Sequence, residues 1–129
     1  MSRFIVAFAL LAPGVLAAMP APASAAVRTF RSPTGNVGCL FSSNSEMPPQ
    51  VRCEWRGGND RAVLVTERGK GRRIKITDTV MDPNAKVLAY GRSTRFGSLR
   101  CTSRTTGITC RSARSEHGFT VSVQKQKVF

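Results

Sequence analysis

Apolar residues return at every second position along most of this chain. In VRCEWR (51–56), Val51, Cys53 and Trp55 alternate with Arg52, Glu54 and Arg56. That period places the apolar set on one face of a strand and the charges on the other. Val37, Cys39 and Phe41 repeat the pattern ahead of SSNSEMPPQ, so the two runs predict a hairpin with a Pro-Pro pair near its tip. RAVLVTERGKGRRIKIT (61–77) predicts a second hairpin, two β-branched runs around the turn RGKG. Its first run is apolar on both faces from Ala62 to Val65, which predicts a central strand, whereas Ile74 and Ile76 alternate with Arg73 and Lys75. SLRCTSRTTGITCRS (98–112) predicts a third hairpin, with Leu99, Cys101, Ile108 and Cys110 facing inward across the turn RTTG. A last strand follows in GFTVSVQK, with Phe119, Val121 and Val123 on one face. Only DPNAKVLAYG (82–91) breaks the rhythm, and Asp82 before Pro83 predicts one short helical turn there. There is no amphipathic helix of useful length and no clear internal repeat. The expected fold is all-β, a small antiparallel sandwich or partly open barrel of about seven short strands.

The N-terminus follows different rules. Arg3 precedes an unbroken apolar run from Phe4 to Ala12, no charge follows until Arg28, and Ala23-Ser24-Ala25 supplies small residues for cleavage. This is the layout of a secretory signal peptide over 1–25, leaving a single all-β domain over 26–129. A retained membrane helix is disfavoured by Pro13, Gly14, Pro20 and Pro22. The first cysteine is Cys39, which argues against a lipid-anchored product. The processed protein is expected to be exported, periplasmic or extracellular, soluble, and without a transmembrane segment.

All four cysteines, Cys39, Cys53, Cys101 and Cys110, fall in the processed chain. An even count in a small exported domain reads as a disulfide framework. Three pairings exist, and the spacing favours the local one, Cys39 with Cys53 and Cys101 with Cys110. Each bridge would contribute roughly 2–4 kcal/mol by restricting the unfolded chain. A zinc site is the competing reading, but no C-x-x-C pair is present and His117 is the sole histidine. Neither a metal nor a cofactor is expected.

Charge is the strongest chemical signal. The formal net charge is +13, and loss of Arg3 with the signal peptide leaves +12. Arg68, Lys70, Arg72 and Arg73 cluster at the second hairpin's turn; Arg92, Arg95, Arg100 and Arg104 follow, then Arg111 and Arg114. Arg100 and Arg111 point outward from the same hairpin, so a basic face there is geometrically reasonable. Such a field attracts polyanions and makes their binding salt-dependent. The expected partners are an anionic envelope polymer, a lipid head group or an acidic protein, bound through Arg68, Lys70, Arg72, Arg73, Arg100 and Arg111. Nucleic acid is less favoured, because it is scarce outside the cell and the aromatic residues fall mostly at core-facing positions. A solvated surface kept soluble by its charge is the bland alternative.

Catalytic readings are weaker. A small basic secreted protein with one histidine invites comparison with nucleases that use a carboxylate base, a histidine acid and phosphate-holding arginines. His117 follows Glu116 directly, so in an extended strand the two point to opposite faces. Glu54 and Glu67 are the other available bases. No G-x-S-x-G elbow exists for a serine hydrolase, and the carboxylates Glu67, Asp78 and Asp82 are scattered among cations. Inhibition of a lysozyme is disfavoured where that enzyme is itself cationic. The glycines of RSPTGNVGCLF (31–41) lack the lysine and following helix of a phosphate loop, and fit a turn leading into the first disulfide strand. The expected protein is therefore a non-enzymatic exported β-domain, with a secreted nuclease using His117 as the alternative.

FRSPTGNVGC (30–39), VRCEW (51–55), DTVMDPNAKVLAYG (78–91), LRCTSRTTGITC (99–110) and HGF (117–119) occur in an order that resembles a family of small secreted bacterial proteins known only as a domain of unknown function. The resemblance spans nearly the whole processed chain. It implies an exported, disulfide-bearing β-domain and assigns no catalytic residue. The chain departs from the fuller pattern in its middle region, where many relatives carry another cysteine pair and this one has a basic hairpin.

Overall fold

The computed structural model describes Gly14 and residues 25–129. Apart from Gly14 and Ala25, the expected signal peptide lies outside the described residues. The described residues form eleven strands and no helix: β1 (Ala26–Arg31), β2 (Val37–Ser43), β3 (Gln50–Trp55), β4 (Arg61–Thr66), β5 (Arg72–Lys75), β6 (Lys86–Val87), β7 (Ser93–Phe96), β8 (Leu99–Arg104), β9 (Gly107–Ser112), β10 (Gly118–Val121) and β11 (Gln126–Val128). One sheet has the order β5-β4-β3-β2-β1-β6 and the other β11-β10-β9-β8-β7. All neighbours are antiparallel except β1 and β6. The two sheets stack as a sandwich and do not close into a barrel.

The period-two pattern explains the core. Val37, Cys39, Phe41, Val51, Cys53, Val63 and Val65 of the first sheet meet Leu99, Cys101, Ile108, Cys110, Phe119 and Val121 of the second in one buried cluster. Phe41 stacks on Phe96 across the interface, ring centroids 5.1 Å apart. Both expected disulfides form between directly opposed residues, Cys39–Cys53 across β2 and β3 and Cys101–Cys110 across β8 and β9. Their Cα atoms stand 4.1 and 4.0 Å apart, the close approach of a non-hydrogen-bonded antiparallel pair. Each bridge therefore staples one sheet internally, and apolar packing joins the sheets.

Four strands exceed the expected seven: β1, β6, β7 and β11. They are short, edge-forming or charged, and tertiary pairing holds them extended. The helical turn expected at Asp82 is a β-turn, closed by Ala85 N–H donating to the Asp82 carbonyl at 3.1 Å. The Asp82 carboxylate caps Asn84 N–H at 2.8 Å, and Lys86 then pairs with β1 before a helix can propagate. The last expected strand stops at Val121, because Ser122–Lys125 turns back to form β11.

β4 is buried on both faces as expected, yet it lies second from an edge rather than centrally. Its outer residues Ala62 and Leu64 share the face of Arg52 and Glu54, the side crossed by the segment from β5 to β6, in which Ile76, Val80 and Ala85 are buried. This strap is pinned by two outward side chains of β3. Glu54, buried, accepts a hydrogen bond from Val80 N–H, and Arg52 pairs with Asp78 at 3.2 Å. The Arg52 guanidinium holds the Asp78 carboxyl below its usual range by hydrogen bonding and by its charge. Gly38 makes the close approach possible: a Cβ there would sit 2.9 Å from Met81 Sδ and 3.2 Å from Met81 Cα.

Candidate anion-binding face

The outer face of the second sheet is built by the same alternation that fills the core. Leu99, Cys101, Ile108 and Cys110 point inward, so Arg100, Thr102, Arg104, Thr109 and Arg111 point outward. Register then aligns them in rows. Arg95 of β7 lies opposite Arg100 of β8, which lies opposite Arg111 of β9. Beside this runs a hydroxyl row, Ser93–Thr102–Thr109–Thr120, ending on Lys127 of β11. Ser93 and Thr102 share a hydrogen bond of 2.8 Å, as do Thr109 and Thr120. Arg100 Nη2 donates to Ser93 Oγ at 3.3 Å, and the Arg111 guanidinium lies 5.2 Å from the centre of the Phe129 ring. Arg100, Thr102, Arg104, Thr109 and Arg111, with Ala113, line a shallow depression of about 470 Å³.

The electrostatics of this face are one-sided. From Lys86 to Phe129 the only acidic residue is Glu116, in the β9–β10 turn. Among the described residues the one ion pair is Arg52–Asp78, on the other sheet. Strands stand about 4.8 Å apart, so three guanidinium-bearing chains rise side by side without a counter-charge. Like charges directly opposed on neighbouring strands destabilise a sheet.

The six cations singled out from the sequence do not form one continuous set. Arg100 and Arg111 are brought together on this face. Arg68 and Lys70 occupy the β4–β5 turn, and Arg72 and Arg73 lie on β5 at the edge of the first sheet. Arg73 Nη2 donates to the Gln126 carbonyl and helps seal that edge against β11. Arg68 shares a separate hollow of about 440 Å³ with Arg114 and Ser115. Nearby, hydrogen bonds from the hydroxyl and amide of Ser98 hold the Glu67 carboxyl below its usual range against the opposing effect of burial; Arg114 and Arg68 add to the lowering. Arg95 is counted among the cations of the sequence but not placed on this face, and the hydroxyl row is not anticipated there. Thr102 and Thr109 share the outward period of Arg100 and Arg111 and could have been found from it.

His117 sits in the β9–β10 turn, where its N–H donates to Ser115 Oγ at 3.2 Å and its carbonyl accepts from Ser112 N–H at 2.9 Å. Glu116 has φ of 63°, so this pair is not extended. The other two candidate bases are engaged with other groups, Glu54 with Val80 and Glu67 with Ser98.

A family model, the Family of unknown function (DUF6636), matches residues 53–129. The chain belongs to this family. The DUF6636 match takes in every strand of the second sheet and hence each arginine of the outer face; the turn at Ser32–Asn36 lies outside it. No curated protein and no solved structure matches the chain. Among the described residues no helix is long and apolar enough to cross a membrane.

Proposed function

We propose that this protein is an exported, non-enzymatic domain that binds an anionic envelope component through the outer face of its second sheet. The observation that carries the reading is the uncompensated row Arg95–Arg100–Arg111. A row that sets like charges opposite one another and has no acidic partner among the described residues is suited to a counter-charge from outside. Guanidinium groups fit phosphate, sulfate and carboxylate bidentately, and the hydroxyl row beside them supplies both donors and acceptors. The two disulfides fit an oxidising compartment, and the apolar leader gives a route to it.

The test is to titrate the purified processed protein against lipopolysaccharide, heparin and RNA at low and high salt. Binding to an envelope polyanion that weakens steeply as salt rises supports the reading. Binding unaffected by salt sinks it, as does RNA cleavage that disappears in His117→Ala.

A further inference from the structure

The end of the sandwich beside Arg104 has features that charge alone does not explain. Leu88 is buried, and its N–H donates to the Arg31 carbonyl at 2.9 Å, which fixes the chain just before Tyr90. Arg92 N–H then donates to the Ala89 carbonyl at 3.0 Å, closing a four-residue turn with Gly91 at φ of 80°. Positive φ at the third residue defines a type II turn, and glycine is the residue that adopts it without strain. The turn holds Tyr90 outward, 47% exposed. This differs from the core-facing position expected for most of the aromatic residues, whereas Phe30, Phe41, Trp55 and Phe119 are buried.

A second turn meets it. Gly35 N–H donates to the Ser32 carbonyl at 2.9 Å, and Ser32 Oγ accepts from Val37 N–H at 3.1 Å. The backbone of Asn36 is used on both sides, its N–H on Thr34 Oγ1 at 3.2 Å and its carbonyl by Arg56 N–H at 2.8 Å. Tyr90, Asn36, Thr34, Gln124 and Arg104 all line one hollow of about 160 Å³. That is smaller than the roughly 300–1,000 Å³ of a pocket enclosing a whole small ligand, so it suits one unit of a polymer. Arg104 also lines the arginine-threonine depression of the outer face. One side chain thus joins the two surfaces.

We infer that the Tyr90 hollow is a saccharide subsite, and that the polymer bound by the arginine face is an anionic glycan; this rests on the polyanion reading above. A sugar ring presents a flat C–H face to one aromatic ring and hydroxyls that both donate and accept. The side-chain amides of Asn36 and Gln124 offer both functions beside a half-exposed tyrosine. Arg104 then meets an acidic substituent at the junction. A nucleic acid strand would instead call for several exposed aromatic rings along the groove; only Tyr90 is a strongly exposed aromatic among the described residues.

The experiment measures the affinity of the processed protein for a heparin oligosaccharide, inorganic polyphosphate and single-stranded oligothymidylate. The same three are measured for Tyr90→Ala, Tyr90→Phe and Arg100→Ser/Arg111→Ser. Tyr90→Ala is expected to lower the heparin-to-polyphosphate affinity ratio about five-fold, and Tyr90→Phe to retain most of it. Tyr90 is half-exposed, so its truncation is expected to leave the fold intact, and unchanged melting of Tyr90→Ala checks this. Equal losses on heparin and polyphosphate overturn the saccharide subsite while leaving the polyanion reading intact. A Tyr90→Ala loss confined to oligothymidylate also overturns it. If wild type binds none of the three, or Arg100→Ser/Arg111→Ser binds all three as well as wild type, the polyanion reading itself fails.

Discussion

The two sheets use their outward charges in opposite ways. On the first sheet, Arg52 and Glu54 are covered by the strap, and each meets a partner there: Asp78 for the arginine, Val80 N–H for the glutamate. On the second sheet, Arg95, Arg100 and Arg111 stand in a row under open solvent with no acid on any strand of that sheet. The first arrangement is architecture, since removing a member breaks the attachment of the β5–β6 connection to its own sheet. The second has no acidic partner to anchor it and sets like charges opposite one another on its own strands. The two outer faces thus separate into one that supports the fold and one available to a partner.

The largest expected effect comes from the staples beneath these faces. Replacing both Cys39 and Cys53 by serine is expected to cost about 2–4 kcal/mol in urea unfolding, and replacing Cys101 and Cys110 a similar amount. The first should cost slightly more, because its sequence separation is 14 against 9 and loop entropy grows with length. Only loss of Cys101–Cys110, which lies directly under Arg100 and Arg111, is expected to weaken polyanion binding by protein that remains folded. Equal binding losses from both pairs would blur the distinction between the sheets.

Next is the strap. Glu54→Ala leaves Val80 N–H buried without its acceptor and is expected to destabilise by about 2 kcal/mol, with no change in polyanion affinity. Denaturant melts with a binding titration check both halves. On the open face the sign reverses: Arg111→Thr relieves a like-charge pair and is expected to raise stability by about 0.2–0.5 kcal/mol while weakening binding. A measurable loss of stability would mean that Arg111 has a structural role, through its contact with Phe129.

A smaller effect concerns pH. The Glu67 carboxyl is lowered from its ordinary value of 4.5, chiefly by Ser98, so its contribution to stability is complete above that value and is lost as pH falls through the lowered one. Ser98→Ala is therefore expected to melt below wild type at pH 7, with the gap narrowing in acid below pH 4.5. A gap that widens there would contradict the assignment.

The hairpins that carry cysteines were legible because a period of two, a short turn and an opposed pair fix register together. Cys101 opposite Cys110 forces Arg100 opposite Arg111, so the heart of the candidate face could be read before any tertiary contact was known. The extension of that row to Arg95 could not, since Arg95 joins only when β7 pairs with β8, and STRF alone is too short to announce a strand. Ala62–Val65 was correctly seen as covered on both faces, but its cover comes from residues distant in sequence. Asp82-Pro83 gave a true local signal with two outcomes, a helix cap or a turn, and pairing of Lys86 with β1 decided between them. Tyr90 illustrates the same limit, because type II geometry and a buried Leu88 determine its exposure and neither is visible as periodicity.

The most direct test removes equal charge from the two regions. Arg100→Ser/Arg111→Ser and Lys70→Ser/Arg72→Ser each lose two cations, one pair from the row on the second sheet and one from the turn and edge of the first. Heparin affinity is measured for both across a salt series. The expected result is that the slope of log affinity against log salt falls by about two for Arg100→Ser/Arg111→Ser and by well under one for Lys70→Ser/Arg72→Ser. Equal slopes for the two variants would show that net charge alone attracts the polyanion and that the row is not a site.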